Sequence, residues 1–227
     1  MLGIIGAMDV EVDMLKGALE APVSETVSGI DFVSGRLWGT DVVIAKCGIG
    51  KVFAAACAEA MILKYAPDAV INTGVGGALS ETLSVTDVVV ATDLVQHDMD
   101  TSALGDPVGL ISGINKVKIE TSGELSARLA EAVRSLEIRC LEGTVASGDK
   151  FVASESDKNY IKETFGAVCC EMEGAAIGQV CYVNNTPFAV LRAISDSADG
   201  SSHMDYPTFV KKAAANSCKV IERMIKG

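Results

Sequence analysis

Short apolar, β-branched runs alternate with helix-forming segments from one end of this chain to the other, and that alternation constrains the fold more than any other feature. "LGIIGAM" at residues 2–8 reads as a buried strand. The following "DVEVDMLKGALE" sets Val10, Met14, Leu15, Ala18 and Leu19 at helical spacing. "DFVSGRLW" and "DVVIAKCG" read as strands joined by a hairpin turn at Gly39-Thr40. An alanine-rich helix over 50–65 and the strands "DAVINTG" and "TDVVVATDLV" come next. The second half predicts a helix at 122–136, a strand at 139–147, a helix at 155–164, a strand at 167–171 and a helix at 173–184. The strand "PFAVLRAIS" and a last helix from about 207 to 226 complete the chain. Such alternation predicts an α/β fold with a mostly parallel sheet covered on both faces. No repeat, low-complexity tract or Pro/Ser-rich linker divides the sequence, so residues 1–227 are expected to form a single domain.

Charge and cysteine usage narrow the partners. A formal net charge of −11 would repel nucleic acid and anionic membrane alike. The start meets Asp9, Glu11 and Asp13 too early for a secretory signal, and no apolar run approaches the roughly 18 residues of a membrane span. Seven cysteines, odd in number and without a CxxC pair, are expected to be reduced core residues of a cytoplasmic protein, with no metal site.

In parallel sheets, ligands sit beyond the carboxyl ends of the strands. Those ends carry Met8 and Glu11; Val75, Gly76 and Gly77; Phe151 and Val152; Glu171, Met172 and Glu173; and Arg192, Ser195 and Asp196. Carboxylates, one arginine, glycines and a few apolar side chains suit a small polar ligand with one flat apolar part. The glycine motifs do not specify a nucleotide cofactor. "GVGGA" has Leu79 where a dinucleotide fingerprint needs its last glycine, and "CGIGKV" has Val52 where a phosphate loop needs Ser or Thr. Their glycines are expected to permit tight turns or close backbone approach. "QHDMD" at 96–100 places His97 and Asp98 on opposite faces of an extended strand, which favours a structural or interface role over a metal site.

"GIIGAMDVEV", "CGIGKV", "INTGVGG", "SGDKFV", "CEMEGAAI" and "RAISDSAD" follow one another in the order and approximate spacing of a known family. The chain resembles the 5′-methylthioadenosine/S-adenosylhomocysteine nucleosidases of the nucleoside phosphorylase superfamily, nearly end to end. The resemblance implies a three-layer α/β sandwich, with a central mixed, largely parallel twisted sheet flanked by helices. It also implies hydrolysis of the N-glycosidic bond of an adenine thionucleoside by water, a part in methionine salvage, no cofactor, and a homodimer. By position, Glu11 corresponds to the carboxylate that deprotonates the water and Asp196 to the acid that assists adenine departure through N7. Glu173 corresponds to the residue that binds the ribose hydroxyls. Met172 would lie against the sugar and Arg192 would help hold the water. Phe151 and the Val152 backbone match the adenine pocket, while Met8 and Tyr206 enclose the nucleoside. Gly76, Gly77 and Ser195 fall among the binding residues. Leu104 and Pro107 would reach the neighbouring subunit's pocket.

Those residue types fit the chemistry. Glycosidic cleavage develops positive charge on the sugar while electrons flow into the base. An acid near N7 improves the leaving group, and a carboxylate beside the anomeric carbon activates water and stabilises the cation. Two like charges one residue apart are costly in a dry pocket, so the backbone is expected to turn before Glu173, leaving Glu171 at the pocket edge. Without the resemblance, both glutamates would equally suit a solvated helix start, Glu11 an exposed helix face, and Asp196 a cap or turn. His203 would border the substrate's tail or stand in an exposed loop.

Two departures from the family pattern stand out. Val75-Gly76-Gly77-Ala78 replaces the usual Ser-Ala-Gly-Gly, which removes a hydroxyl from the water site. Leu104 stands where relatives carry an aromatic residue, so the preferred 5′-substituent does not carry over. Phosphorolysis is disfavoured because Glu11 would repel phosphate and "NTGVGG" offers no arginine. Another purine nucleoside such as futalosine, or binding without turnover, stays open on these residues.

Overall fold

The computed structural model describes residues 1–197 and 206–227, with Tyr206 and Pro207 entering through their backbone alone. His203 and the side chain of Tyr206 therefore lie outside the described residues. In chain order the elements are β1 (Leu2–Gly6), α1 (Asp9–Gly17), β2 (Glu20–Val27), β3 (Ile30–Leu37), β4 (Thr40–Lys46), α2 (Lys51–Tyr65), β5 (Ala69–Ala78) and β6 (Val88–Gln96). They continue with β7 (Ile119–Glu120), α3 (Gly123–Ser135), β8 (Cys140–Ser147), α4 (Glu155–Phe165), β9 (Ala167–Glu171), α5 (Gly174–Val183), β10 (Phe188–Asp196) and α6 (Tyr206–Lys226).

The strands share one mixed sheet, and its two faces explain the continuous apolar runs. Ile5, Val43, Val70, Val89 and Val190 point to one side, where they meet Ala54, Cys57 and Met61 of α2 and Ile177 and Cys181 of α5. Ile4, Ile44, Ile71, Val90 and Leu191 point to the other, against Val12 and Leu15 of α1, Leu129 and Val133 of α3, and Ile221 of α6. Helices thus cover both faces, which is the expected three-layer arrangement.

Parallel pairing of β1 with β4 and β5 builds the centre. The sheet then curls. β5 pairs in parallel with β10, β10 antiparallel with β6, and β6 in parallel with β8. β8 pairs in parallel with β9, which returns antiparallel to β5, so five strands close a ring. β1 accompanies β5 only as far as Asn72, and β9 joins β5 only at Gly77. The stretch of β5 between them faces an opening between two neighbours that have diverged. That opening positions the site.

Two local expectations are corrected, and one strand was not anticipated. The hairpin turn lies at Trp38-Gly39, not Gly39-Thr40: both have positive φ, 49° and 85°, and Leu37 pairs with Thr40. Two consecutive left-handed residues match the twist of the flanking strands. Helix α1 ends at Gly17, so Ala18 and Leu19 lead into β2. β2 carried no readable signal, because "EAPVSETV" is exposed along nearly its whole length and has no buried alternation.

Candidate active site

Glu11 sits in the third position of α1, where its carboxylate folds back over the opening beside β5. It is buried. One carboxylate oxygen accepts the backbone N–H groups of Ala7 (2.7 Å) and Met8 (2.9 Å), and the other accepts that of Val75 (3.0 Å). The β5 edge left by β1 is thus capped by a side chain rather than a strand. Gly74 makes room for it: a Cβ there would stand 2.7 Å from the Glu11 Oε1. Burial raises the Glu11 carboxyl above its ordinary value, against the opposing pull of Arg192 and the three N–H donors.

Asp196 arrives from β10 by a different device. Ile194 pairs with Gly76 and Asp196 with Gly77, leaving Ser195 as an extra residue in the ladder. Ser195 and Asp196 consequently both line the same cavity, which strict strand alternation would forbid. The Ser195 hydroxyl donates to Asp196 Oδ2 at 2.8 Å. Along β5, the Glu11 contact at Val75 and the Asp196 pairing at Gly77 lie two residues apart. Two residues of strand span roughly 7 Å, room for a sugar–base bond between them.

The glutamate pair separates where the chain turns. β9 stops at Glu171 and α5 begins at Gly174, with Glu173 at φ −135°, ψ −38° between them. Glu173 faces the cavity and accepts the Gly50 N–H at 2.9 Å. Burial first, then the charge of Glu171, pushes its carboxyl up to about 7. The expectation that the backbone turns before Glu173 holds.

Glu171 also lines the cavity, as expected of a residue at the pocket edge, but it is shielded from solvent there. Its side chain is 2% exposed and ion-paired with Arg192, itself 1% exposed. It also accepts the Ser147 hydroxyl and the N–H groups of Glu173 (3.0 Å) and Gly174 (2.7 Å). Burial pushes Glu171 upward, yet the Arg192 guanidinium, that hydroxyl and those two N–H groups hold it below the usual value. Arg192 stands behind the cavity wall rather than on it, bonded also to Asn72 Oδ1 at 2.5 Å and its neighbour's carbonyl. An arginine within a buried strand needs such partners, because an unpaired buried charge costs several kcal/mol. From there it reaches Glu173 at 3.9 Å.

The cavity, about 110 Å³, is lined among others by Met8, Glu11, Gly76, Gly77, Phe151, Val152, Met172, Glu173, Ser195 and Asp196. Every residue that the sequence placed in the chain's own pocket and that is fully described lines it, apart from Arg192. Leu104 and Pro107 lie elsewhere, exposed in the segment after β6, with Leu104 84% exposed. Ile49, Lys150 and Cys170 also line the cavity but were missed. The signal for Ile49 was present: an apolar residue between two glycines in "CGIGKV", at a strand exit. Val75 contributes its backbone N–H to Glu11. Among the described residues no group of three or more His, Cys, Asp or Glu could hold a metal ion, and no helix is long and apolar enough to cross a membrane.

The Phosphorylase superfamily model matches residues 1–226. The 5′-methylthioadenosine/S-adenosylhomocysteine nucleosidase of Shewanella halifaxensis is 38% identical over 227 residues, 99% of this chain and 98% of its own. The Neisseria meningitidis enzyme of the same name, solved with methylthio-immucillin-A, superposes with a TM-score of 0.95 at 36% identity, covering 99% of this chain and 98% of its own. The futalosine hydrolase of Helicobacter pylori superposes with a TM-score of 0.93 at 35% identity, covering 99% and 96%. Identity at this level extends over whole chains, and the solved relatives share the overall fold. The chain belongs to the 5′-methylthioadenosine/S-adenosylhomocysteine nucleosidase family of the phosphorylase superfamily.

Proposed function

We propose that this protein hydrolyses the N-glycosidic bond of 5′-methylthioadenosine and S-adenosylhomocysteine, releasing adenine and the matching thioribose. The observation that carries the reading is the convergence of Glu11, Glu173 and Asp196 on one cavity from three separate elements. Glu11, raised by burial, is a stronger base than a solvated carboxylate and is suited to take a proton from water. Its carboxylate also faces the cation that develops on the sugar. Asp196, steadied by the Ser195 hydroxyl, delivers a proton to N7 of the departing adenine. Glu173 accepts the ribose hydroxyls, Met172 lies against the sugar, and Phe151 with Val152 flanks the base. Arg192 acts on the water site from behind, through its charge on Glu11 and Glu173.

Water is the nucleophile in this reading, because Glu11 would repel a phosphate dianion. Free adenine should therefore accumulate at the same rate with and without phosphate. Formation of a ribose 1-phosphate analogue would overturn the assignment. The likeness to a futalosine hydrolase supports a second substrate, since protonation at N7 serves any purine. A panel of 5′-methylthioadenosine, S-adenosylhomocysteine and futalosine decides between them by kcat/KM. We further assign the protein to methionine salvage in the cytoplasm as a homodimer, with Leu104 and Pro107 covering the partner's 5′-substituent and Tyr206 and Met8 enclosing the nucleoside. Exposed Ile49, Val52, Phe53 and Leu104 favour such an interface. Light scattering that finds a fully active monomer would reject it.

A further inference from the structure

Two stretches singled out by the sequence are not absorbed by the reaction: "CGIGKV" at 47–52 and "QHDMD" at 96–100. They meet in space. Gly50 has φ +100° and ψ 159°, a conformation open to glycine, and this aims its N–H at Glu173 Oε1, 2.9 Å away. The next residue, Lys51, begins α2 and donates its N–H to Asp149 Oδ1 at 2.7 Å. Asp149 in turn donates its N–H to Asp98 Oδ2 at 2.9 Å. Lys51 Nζ closes the ring on Asp98 Oδ1 at 2.6 Å and also reaches Gln96 Oε1 at 3.1 Å. Gln96 is tied by its amide to Gln179 of α5 at 2.6 Å.

Resting on the reading that Glu173 binds the ribose, we infer that Lys51, Asp98 and Asp149 are positioning residues, a ring of charge-assisted bonds that holds the Gly50 N–H on the Glu173 carboxylate. Three observations carry this beyond an ordinary surface ion pair. The Lys51 and Asp98 side chains are largely shielded, 18% and 31% exposed. The bonds join three separate strand exits: the loop after β4, the end of β6 and the loop after β8. The residues they clamp are Gly50, which touches Glu173, and Asp149, which immediately precedes the cavity residues Lys150, Phe151 and Val152. Left-handed Gly50 has a broad range of backbone conformations available to it, so its N–H direction must be fixed from outside. The backbone and side-chain contacts of Lys51, the residue that follows it, supply that constraint.

The test is a double-mutant cycle on the full-length protein, with 5′-methylthioadenosine as substrate. Lys51→Met should raise KM about tenfold with a smaller change in kcat, as expected for loss of one hydrogen bond to a charged group. In a Glu173→Gln background the same change should move KM by less than about twofold, because the two residues act through one contact. Lys51→Arg should restore KM, and thermal melting checks that each variant folds. Should Lys51→Met fail to fold, the isosteric Asp98→Asn takes its place in the cycle. An unchanged KM in the single variant, or equal KM increases in both backgrounds, would overturn the inference. A Glu173→Gln variant with an unaltered KM would instead remove the ribose role beneath it, and the inference with it.

Discussion

Replacing Glu171 by glutamine tests whether the buried Arg192 pair sets the protonation of the site. Glutamine keeps the shape. Its carbonyl can take the position that now accepts the Glu173 and Gly174 N–H groups and the Arg192 guanidinium, and its amide can donate to Ser147. Most hydrogen bonds therefore survive and the loss is chiefly charge. Arg192 is left 1% exposed, with Asn72 beside it and the Glu173 carboxylate 3.9 Å away. Removing one partner of a buried pair typically costs 3–5 kcal/mol, and the retained bonds place this case at about 3 kcal/mol. For a chain of 227 residues that is a fall in Tm of about 6–12 °C. The charge of Glu171 is also one of the causes that raise Glu173. With it gone, Glu173 should ionise at lower pH, and the acid limb of kcat/KM should move down. Arg192→Met removes the opposing charge and should move that limb up, with comparable destabilisation. Urea unfolding at fixed protein concentration and pH–rate profiles measure both effects. Displacement of the two limbs in the same direction, or a loss of stability below about 1 kcal/mol for both variants, would refute the electrostatic account.

Three further outcomes follow from the geometry. Asp196→Asn should lower kcat by about a hundredfold or more while the protein stays folded, because a lost general acid typically costs that much; adenine release measures it. Glu173 has a carboxyl raised from 4.5 to about 7, so between those values the folded state binds more protons than the unfolded one. Stability should therefore fall as pH rises through that window, by up to about 3 kcal/mol, and Glu173→Gln should flatten the dependence in denaturant titrations. Gly74→Ala places a Cβ 2.7 Å from the Glu11 carboxylate and should cost about 1–3 kcal/mol of stability while lowering kcat more than it raises KM.

Local pattern was enough to read the alternation of strands and helices, and hence the sheet with helices on both faces. Strand-exit positions then brought Glu11, Glu173 and Asp196 forward, and the ordered motifs carried the family. These are properties of short segments: a run that must be buried on two faces is apolar throughout, and a chain leaving a parallel strand does so where ligands bind. What tertiary structure alone decided depends on partners far apart in the chain. β1 leaves β5 at Asn72 and β9 joins it at Gly77, and no periodicity within β5 announces the opening between them. That Arg192 stands behind the cavity wall rather than on it was decided by its Glu171 and Asn72 partners. Gly50 looked like a turn glycine until Glu173, 123 residues away in sequence, was found on its N–H. Hydrogen-bond direction and desolvation act only once the chain has closed on itself, so the division of roles among three nearby carboxylates belongs to the folded molecule.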